Sequence, residues 1–299
     1  VPFEKEGQYL KSDNRSNISY FLEHNVLLRR FTLSVGVLAN YNSALNEGIH
    51  FYPGIDASYR IGDNFRLYGS WNRALRMPTF TDLYYEGKTN KGNPDLKPEE
   101  SEAFEVGLKY NTYFLRAHIA GFYRKGKNMI DWVKEKPEDI WESRNLTKVD
   151  NLGFETNLSL LPRELGNERF FIRKIELGYA FIHQDKDSEG YISNYALDYL
   201  KHKFTAQLSH SIWKGFSATW YVRWQDRAGS YTKYENLKPA YEEPYSPYCL
   251  VDMKVNWEYQ RLNLYAELNN LLNSTYYDLG NIPQPGIWFK AGFRYSFKY

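Results

Sequence analysis

The sequence predicts an all-β chain, a transmembrane antiparallel up-and-down β-barrel, and three observations predict it. Apolar and polar side chains alternate with period two through about thirteen runs, many longer than an ordinary soluble strand. The connections between the runs alternate short and long, as in a barrel with short turns on one side of a membrane and longer loops on the other. Aromatics make up 18% of the 299 residues, with 27 Tyr, 18 Phe and 8 Trp, a surplus that calls for a surface rather than a core. Several stand near run ends, among them Tyr59, Trp71, Tyr110, Tyr113, Trp213, Trp257 and Tyr259, where interfacial girdles sit. No stretch approaches about eighteen consecutive apolar residues and mean hydropathy is −0.64, so a transmembrane helix is excluded. Barrel strands escape that test because their hydrophobicity cancels in a running average.

In chain order the connections fall at 29–30, 43–48, 62–64, 77–100, 111–112, 133–144, 162–169, 187–193, 213–215, 231–246, 259–261 and 277–285. The runs between them are clearest in the second half. Phe216, Ala218, Trp220, Val222 and Trp224 oppose Ser217, Thr219, Tyr221, Arg223 and Gln225. Val251, Met253, Val255 and Trp257 oppose Asp252, Lys254, Asn256 and Glu258, and Leu262, Leu264, Ala266 and Leu268 oppose Asn263, Tyr265, Glu267 and Asn269. In the last run Ile287, Phe289, Ala291, Phe293, Tyr295, Phe297 and Tyr299 share one side, with Lys290, Arg294, Ser296 and Lys298 on the other. Runs 193–212 and 262–277 exceed the length of most sandwich strands, whereas a tilted bilayer-spanning strand needs about 9–11 residues and can project beyond the membrane. A soluble sandwich with its apolar face inward fits the alternation as well; the connections favour the barrel.

The connection at 77–100, "MPTFTDLYYEGKTNKGNPDLKPEE", is long for a compact domain, and such loops are functional or disordered. Phe80, Leu83, Tyr84 and Tyr85, with Pro78, Pro94 and Pro98, argue for order. Asn93-Pro94-Asp95 is a turn initiator, and Pro98 pushes Lys97 towards extended geometry. The proline-rich ends therefore read as scaffolding, and Tyr84 and Tyr85 as the residues placed to touch something or to pack the loop.

This stretch, preceded by "LYGSWNRALR", resembles a signature of TonB-dependent outer-membrane receptors, carried by Ser70, Trp71, Arg76, Pro78 and Thr79 and then by Gly92, Asn93, Pro94, Asp95, Leu96, Pro98 and Glu99. The end of the chain, "LYAELNNLLNSTYYDLGNIPQPGIWFKAGFRYSF", is similar to the same family. Its barrels commonly finish on Phe, whereas this chain ends on Tyr299. The resemblance implies a barrel of about twenty-two strands around a plug, so residues 1–299 are expected to be its C-terminal portion, with the plug and first strands outside this sequence. The opening "VPFEKEGQYL" lacks the basic start and apolar run of a signal peptide.

The resemblance further implies active transport of a scarce large nutrient, of the cobalamin, haem or ferric siderophore class, across the bacterial outer membrane. Its expected partners are the TonB-ExbB-ExbD energising complex acting through the missing N-terminal region, the receptor's own plug, outer-membrane lipid and, as an open option, a surface lipoprotein. Haem receptors of the family tend to carry a His within the segment equivalent to 77–95, and none stands there. The compact spacing of "RMPTFTDLYY…GNPDLKPE" is similar to cobalamin receptors, which are favoured.

Read on their own, the residues supply no catalytic constellation: HExxH, G-x-S-x-G and a glycine-rich phosphate loop are all missing. Cys249 stands alone, which excludes an internal disulfide. His24, His50, His118, His183, His202 and His210 are scattered without metal-ligand spacing, and His118 and His210 show no partner in the pattern. No enzyme activity, metal or cofactor is expected, and 38 basic against 36 acidic residues give no reason for a nucleic-acid partner. The inward faces carry Arg66, Lys109, Arg116, Lys174, Arg223, Lys254, Lys290 and Arg294 beside Glu105, Glu155, Glu176, Asp252 and Glu267, mixed charge that water or a plug would solvate. Ligand contact is expected from the loop aromatics Tyr84, Tyr85, Trp132, Trp141, Tyr191, Tyr231 and Tyr234, which offer stacking area at small entropic cost. Loops 133–144 and 231–246 show no excess of positive charge, which weighs against strongly anionic siderophores. Two rivals stay open: an outer-membrane barrel enzyme, and a soluble secreted β-sandwich that binds sugar.

Overall fold

A computed structural model describes residues 8–9, 14–43, 48–166, 169–187, 190–193, 199–235, 238–280 and 282–297. Among these, thirteen long strands follow one another: β1 Asn17–Leu27, β2 Phe31–Asn42, β3 Ile49–Ile61, β4 Phe65–Arg76, β5 Glu99–Asn111, β6 Leu115–Lys134, β7 Trp141–Leu160, β8 Ile172–Asp187, β9 Tyr199–Trp213, β10 Phe216–Ala228, β11 Tyr248–Tyr259, β12 Leu262–Asn269 and β13 Trp288–Tyr295. The terminal Tyr299 lies outside the described residues. Contacts divide the chain into two units, Val1–Gly107 with Gly121–Gly153 and His183–Asp198, and Leu108–Ala120 with Phe154–Ile182 and Tyr199–Tyr299.

In the first unit β1 to β4 pair in sequence, each antiparallel to the next. Register places Leu33 opposite Val26 and Ala57, and Val35 opposite His24 and Ile55. That apolar face has no protein cover among the described residues: Val35, Phe51, Ile55, Tyr59, Ile61, Phe65 and Leu67 are all exposed. A soluble sandwich would bury such a face against a second sheet. The exposure is what separates the two readings of the alternation, and it favours lipid.

In the second unit β8 to β13 also pair in sequence and antiparallel. One apolar row crosses all six strands, Ile175, Leu208, Trp220, Met253, Leu268 and Phe289. The next row belongs to the other face and reads Lys174, Ser209, Thr219, Lys254, Glu267 and Lys290. There Glu267 accepts from Lys254 Nζ at 2.7 Å and meets Lys290 Nζ at 2.5 Å, so one carboxylate serves two ammonium groups. The turns at one end of this sheet are tight; Gly215 at φ 80° and Gln260 at φ 51° make the reversals after β9 and β11. An added Cβ on Gly215 would also come within 2.4 Å of the Glu258 carbonyl oxygen, so both its sign of φ and its neighbour demand glycine.

Several boundaries differ from the sequence pattern. Run 262–277 stops at Asn269, because Asn270 and Asn273 adopt φ of 52° and 47° and turn the chain. Run 193–212 corresponds to Tyr199–Trp213, with 194–198 outside the described residues. Connection 231–246 is itself a hairpin, Ser230–Glu235 against Lys238–Pro244. Connection 277–285 carries a two-strand ribbon, Tyr277–Leu279 against Ile282–Pro283. The longest strands are β6 and β7, 20 residues each, about twice what a bilayer needs.

Candidate functional site

The connection 77–98 is ordered by a short helix, α1 Phe80–Tyr84, which the alternating pattern around it gave no reason to expect. Thr79 and Asp82 form a reciprocal capping box: Asp82 N donates to Thr79 Oγ1 at 3.1 Å, and Thr79 N donates to Asp82 Oδ2 at 3.0 Å. Such a box satisfies two backbone donors at the helix start, which lets a five-residue helix persist. Arg15 adds a tether, donating to the Pro78 carbonyl at 2.8 Å with its guanidinium over the Phe80 ring. Gly92 then passes close under the helix: an added Cβ would lie 2.9 Å from Asp82 O, Leu83 C and Tyr84 N, all backbone. Its amide donates to Tyr85 O at 2.6 Å, and Asn93 N donates to Asp82 O at 2.8 Å. Asn93 Oδ1 accepts from Asp95 N at 2.9 Å, the local turn that the Asn-Pro-Asp triplet predicts.

The exit of the loop is clamped from the side. Asn145 of β7 accepts from Lys97 N at 2.8 Å and donates to Lys97 O at 2.9 Å and to Asn128 O at 2.7 Å, so its amide stands in for a strand neighbour. Glu99 is buried, takes Arg76 through Nε and Nη2 at 2.5 and 2.7 Å, and accepts from Ile130 N at 2.7 Å. The two ends of the loop, Arg76 and Glu99, are thus tied to each other and to β6. Ser143 Oγ donates to Asp82 O. Beneath, Val133, Leu146 and Val149 form a buried cluster with Met129 and Tyr191 packed on it. Among the described residues, this buried apolar cluster therefore lies in the extra length of β6 and β7, beyond what crossing a membrane requires.

Between the loop and β7 lies an open cleft of about 580 Å³, with Lys91, Asn93, Glu142, Arg144 and Tyr191 on its walls. Arg144 donates to Tyr191 OH at 2.5 Å and through Nη2 to Glu142 Oε2 at 2.9 Å, and its guanidinium lies 4.9 Å from the Tyr191 ring centre.

The aromatics singled out from sequence fall into different settings. Tyr84 stacks with Phe80, and Tyr85 meets Tyr9 edge-on at 5.8 Å. Trp141 carries the Lys134 ammonium over its ring at 4.5 Å, and Tyr191 lines the cleft. Trp132 is half-buried on β6. In the second unit Tyr231 is 7% exposed and packs against Tyr245 and Tyr277, whereas Tyr234 on the same hairpin is exposed. Burial pushes the Tyr231 phenol above the ordinary tyrosine range, with Glu243 adding to the shift.

Sequence reasoning passed over Asn145, Ser143, Arg15 and Arg144, whose partners Lys97, Asp82, Pro78 and Tyr191 lie 47 to 63 residues away, and Lys91, which lines the cleft. It also left His118 and His210 without partners. His210 faces the apolar side opposite Ala218 and accepts from Trp220 Nε1 at 3.1 Å, while His118 lies 3.8 Å from Glu155.

Long antiparallel strands with an apolar face left uncovered among the described residues are the strands of a membrane β-barrel protein. The family model described as TonB dependent receptor-like, beta-barrel, matches residues 3–271, and the chain belongs to that family of outer-membrane barrels. Among curated relatives, the vitamin B12 transporter BtuB of Vibrio vulnificus is 26% identical, over 56% of this chain and 36% of that protein. The ferrienterobactin receptor of Escherichia coli is 23% identical, over 90% of this chain and 38% of that protein. The chain thus spans little more than a third of the length of either. Among solved structures, the ferric enterobactin receptor PfeA of Pseudomonas aeruginosa, in a mutant complex with enterobactin, superposes with a TM-score of 0.74 at 19% identity, covering 95% of this chain and 46% of that one.

Proposed function

We propose that this chain is the C-terminal barrel portion of a TonB-dependent active transporter that takes up a scarce, large nutrient of the cobalamin or ferric siderophore class, cobalamin favoured. The observation that carries the reading is the family match across residues 3–271. The relatives' own cargo supports the two nutrient classes, vitamin B12 in one and ferric enterobactin in another. The loops capture the nutrient outside; energy delivered through TonB and its ExbB-ExbD complex shifts a plug, and the nutrient passes along the charged face of the barrel. This is a change of conformational populations rather than bond chemistry, and the chain is assigned no enzyme activity.

Within this reading the contacts are carried by Tyr84, Tyr85, Tyr191 and Tyr234 of the connections and by Trp132 and Trp141 in the extra length of β6 and β7. Tyr231, being buried, holds its hairpin in place. Arg76, Pro78, Asn93, Pro94, Asp95, Leu96, Pro98 and Glu99 are the frame that presents them. The test is titration of the detergent-purified full-length receptor with cyanocobalamin, haem and ferric enterobactin, followed by tryptophan fluorescence. Saturable nanomolar quenching by one nutrient is expected. No saturable binding of any of the three removes the reading.

A further inference from the structure

We infer that the cleft between residues 91–94 and β7 is an oxyanion subsite, built to hold a phosphodiester, carboxylate or catecholate group of the transported nutrient. The inference rests on the transport reading above and adds the chemistry of one contact. The cleft walls are rich in donors. Arg144 spends Nε and Nη2 on Glu142 Oε2 at 3.3 and 2.9 Å and one Nη1 hydrogen on Tyr191 OH. A guanidinium has five N–H groups, so two remain. Asn93 has its Oδ1 committed to Asp95 N, which fixes the amide orientation and leaves Nδ2 as the free end. Lys91 meets no carboxylate within ion-pair distance among the described residues, although Glu142 is its register neighbour across the strand bridge. Lys91 and Arg144 against Glu142 leave one positive charge on the walls.

The site is also held in shape before anything binds. Lys91 and Asn93 flank Gly92, which is wedged against the backbone of α1 with no room for a Cβ. Arg144 is held over the Tyr191 ring by Glu142. The Arg144 and Asn93 donors are fixed in advance and so cost little ordering entropy on binding. A volume of about 580 Å³ suits one charged group and its surroundings rather than a whole large nutrient, which would extend outside.

The test uses the full-length receptor in detergent with cyanocobalamin, a phosphodiester, and ferric enterobactin, a catecholate, as probes; the probe that binds identifies the source of the oxyanion. Lys91→Gln weakens binding of that probe about five-fold, and Lys91→Glu about fifty-fold by placing like charge against the ligand. Affinity of the Gln variant depends less steeply on salt. The control Lys97→Gln, the same charge change on the exposed side of the loop exit, stays within about two-fold. Wild-type affinity in Lys91→Glu overturns the inference. Should the wild type bind neither probe, the transport reading fails for those nutrients, and the phosphorus NMR line of inorganic phosphate decides the cleft alone. Broadening by wild type but not by Lys91→Glu supports it, and no broadening by wild type overturns it.

Discussion

Removing Glu99 should open the loop 77–98 locally while leaving the strands below it closed. The carboxylate is 7% exposed and accepts three hydrogen bonds, two from Arg76 and one from Ile130 N. Glu99→Ala leaves the buried Ile130 amide unsatisfied, at about 1–3 kcal/mol. The Arg76 pair adds about 1 kcal/mol, discounted because the Arg76 side chain is 53% exposed. The sum is about 3 kcal/mol, or roughly a hundred-fold faster exchange of the amides that the loop protects. Glu99→Gln keeps an acceptor for Ile130 N and loses only the ionic part, so exchange should rise about five-fold. Hydrogen exchange followed by mass spectrometry on the full-length receptor reads both, because it reports local opening. The peptide containing Ile130 and the peptide containing Leu83 should respond together. Equal exchange in the Ala and Gln variants, or a change under about three-fold in both, would refute the assignment of Glu99 as the tie between the loop and β6.

Other expectations follow from the same frame. Asn145→Ala should free the loop exit at Lys97 by about 2 kcal/mol, and Asn145→Asp should be no better, since a carboxylate would face the Lys97 and Asn128 carbonyls; protease sensitivity near Lys97 checks both. Gly92→Ala must displace either the loop or α1, at about 1–3 kcal/mol, read as earlier proteolytic nicking between Tyr85 and Asn93. The hairpin 230–244 should loosen at high pH. The hydrogen bond to Glu243 holds Lys233 above its ordinary value of 10.5, and burial raises Tyr231 above 10.0. Both groups bind their protons more tightly when folded, so their stabilisation is complete below those values and is lost as pH rises through the folded ones. Phenolate absorbance should therefore lose one tyrosine's share of its late-titrating amplitude in Tyr231→Phe.

Much of the framework was legible because a strand repeats every two residues. The split of 216–225 into Phe216, Ala218, Trp220, Val222 and Trp224 against polar neighbours is the same split that pairs with β11 in register. The alternation of connection lengths survived over most of the chain, since tight turns need local chemistry, such as Gly215, that sequence displays; it fails after β7, where connection 161–171 is as long as 188–198. The site was less legible because its contacts are not periodic. α1 exists through a capping box and not through any apolar stripe, and Asn145 reads as an ordinary polar strand residue until Lys97 is placed beside it. Connections 231–246 and 277–285 hide small sheets of their own, whose strands are too short to show a pattern. Tyr231 and Tyr234 look equivalent in sequence; only packing against Tyr245 and Tyr277 separates the buried one from the exposed one.

The most direct test of the account is energised uptake by cells. A strain deleted for the full-length parent gene and its complemented counterpart would be given labelled cyanocobalamin or ferric enterobactin, with and without a functional TonB. Accumulation that needs both the receptor and TonB is the result the account predicts; accumulation unchanged by loss of either one would contradict it.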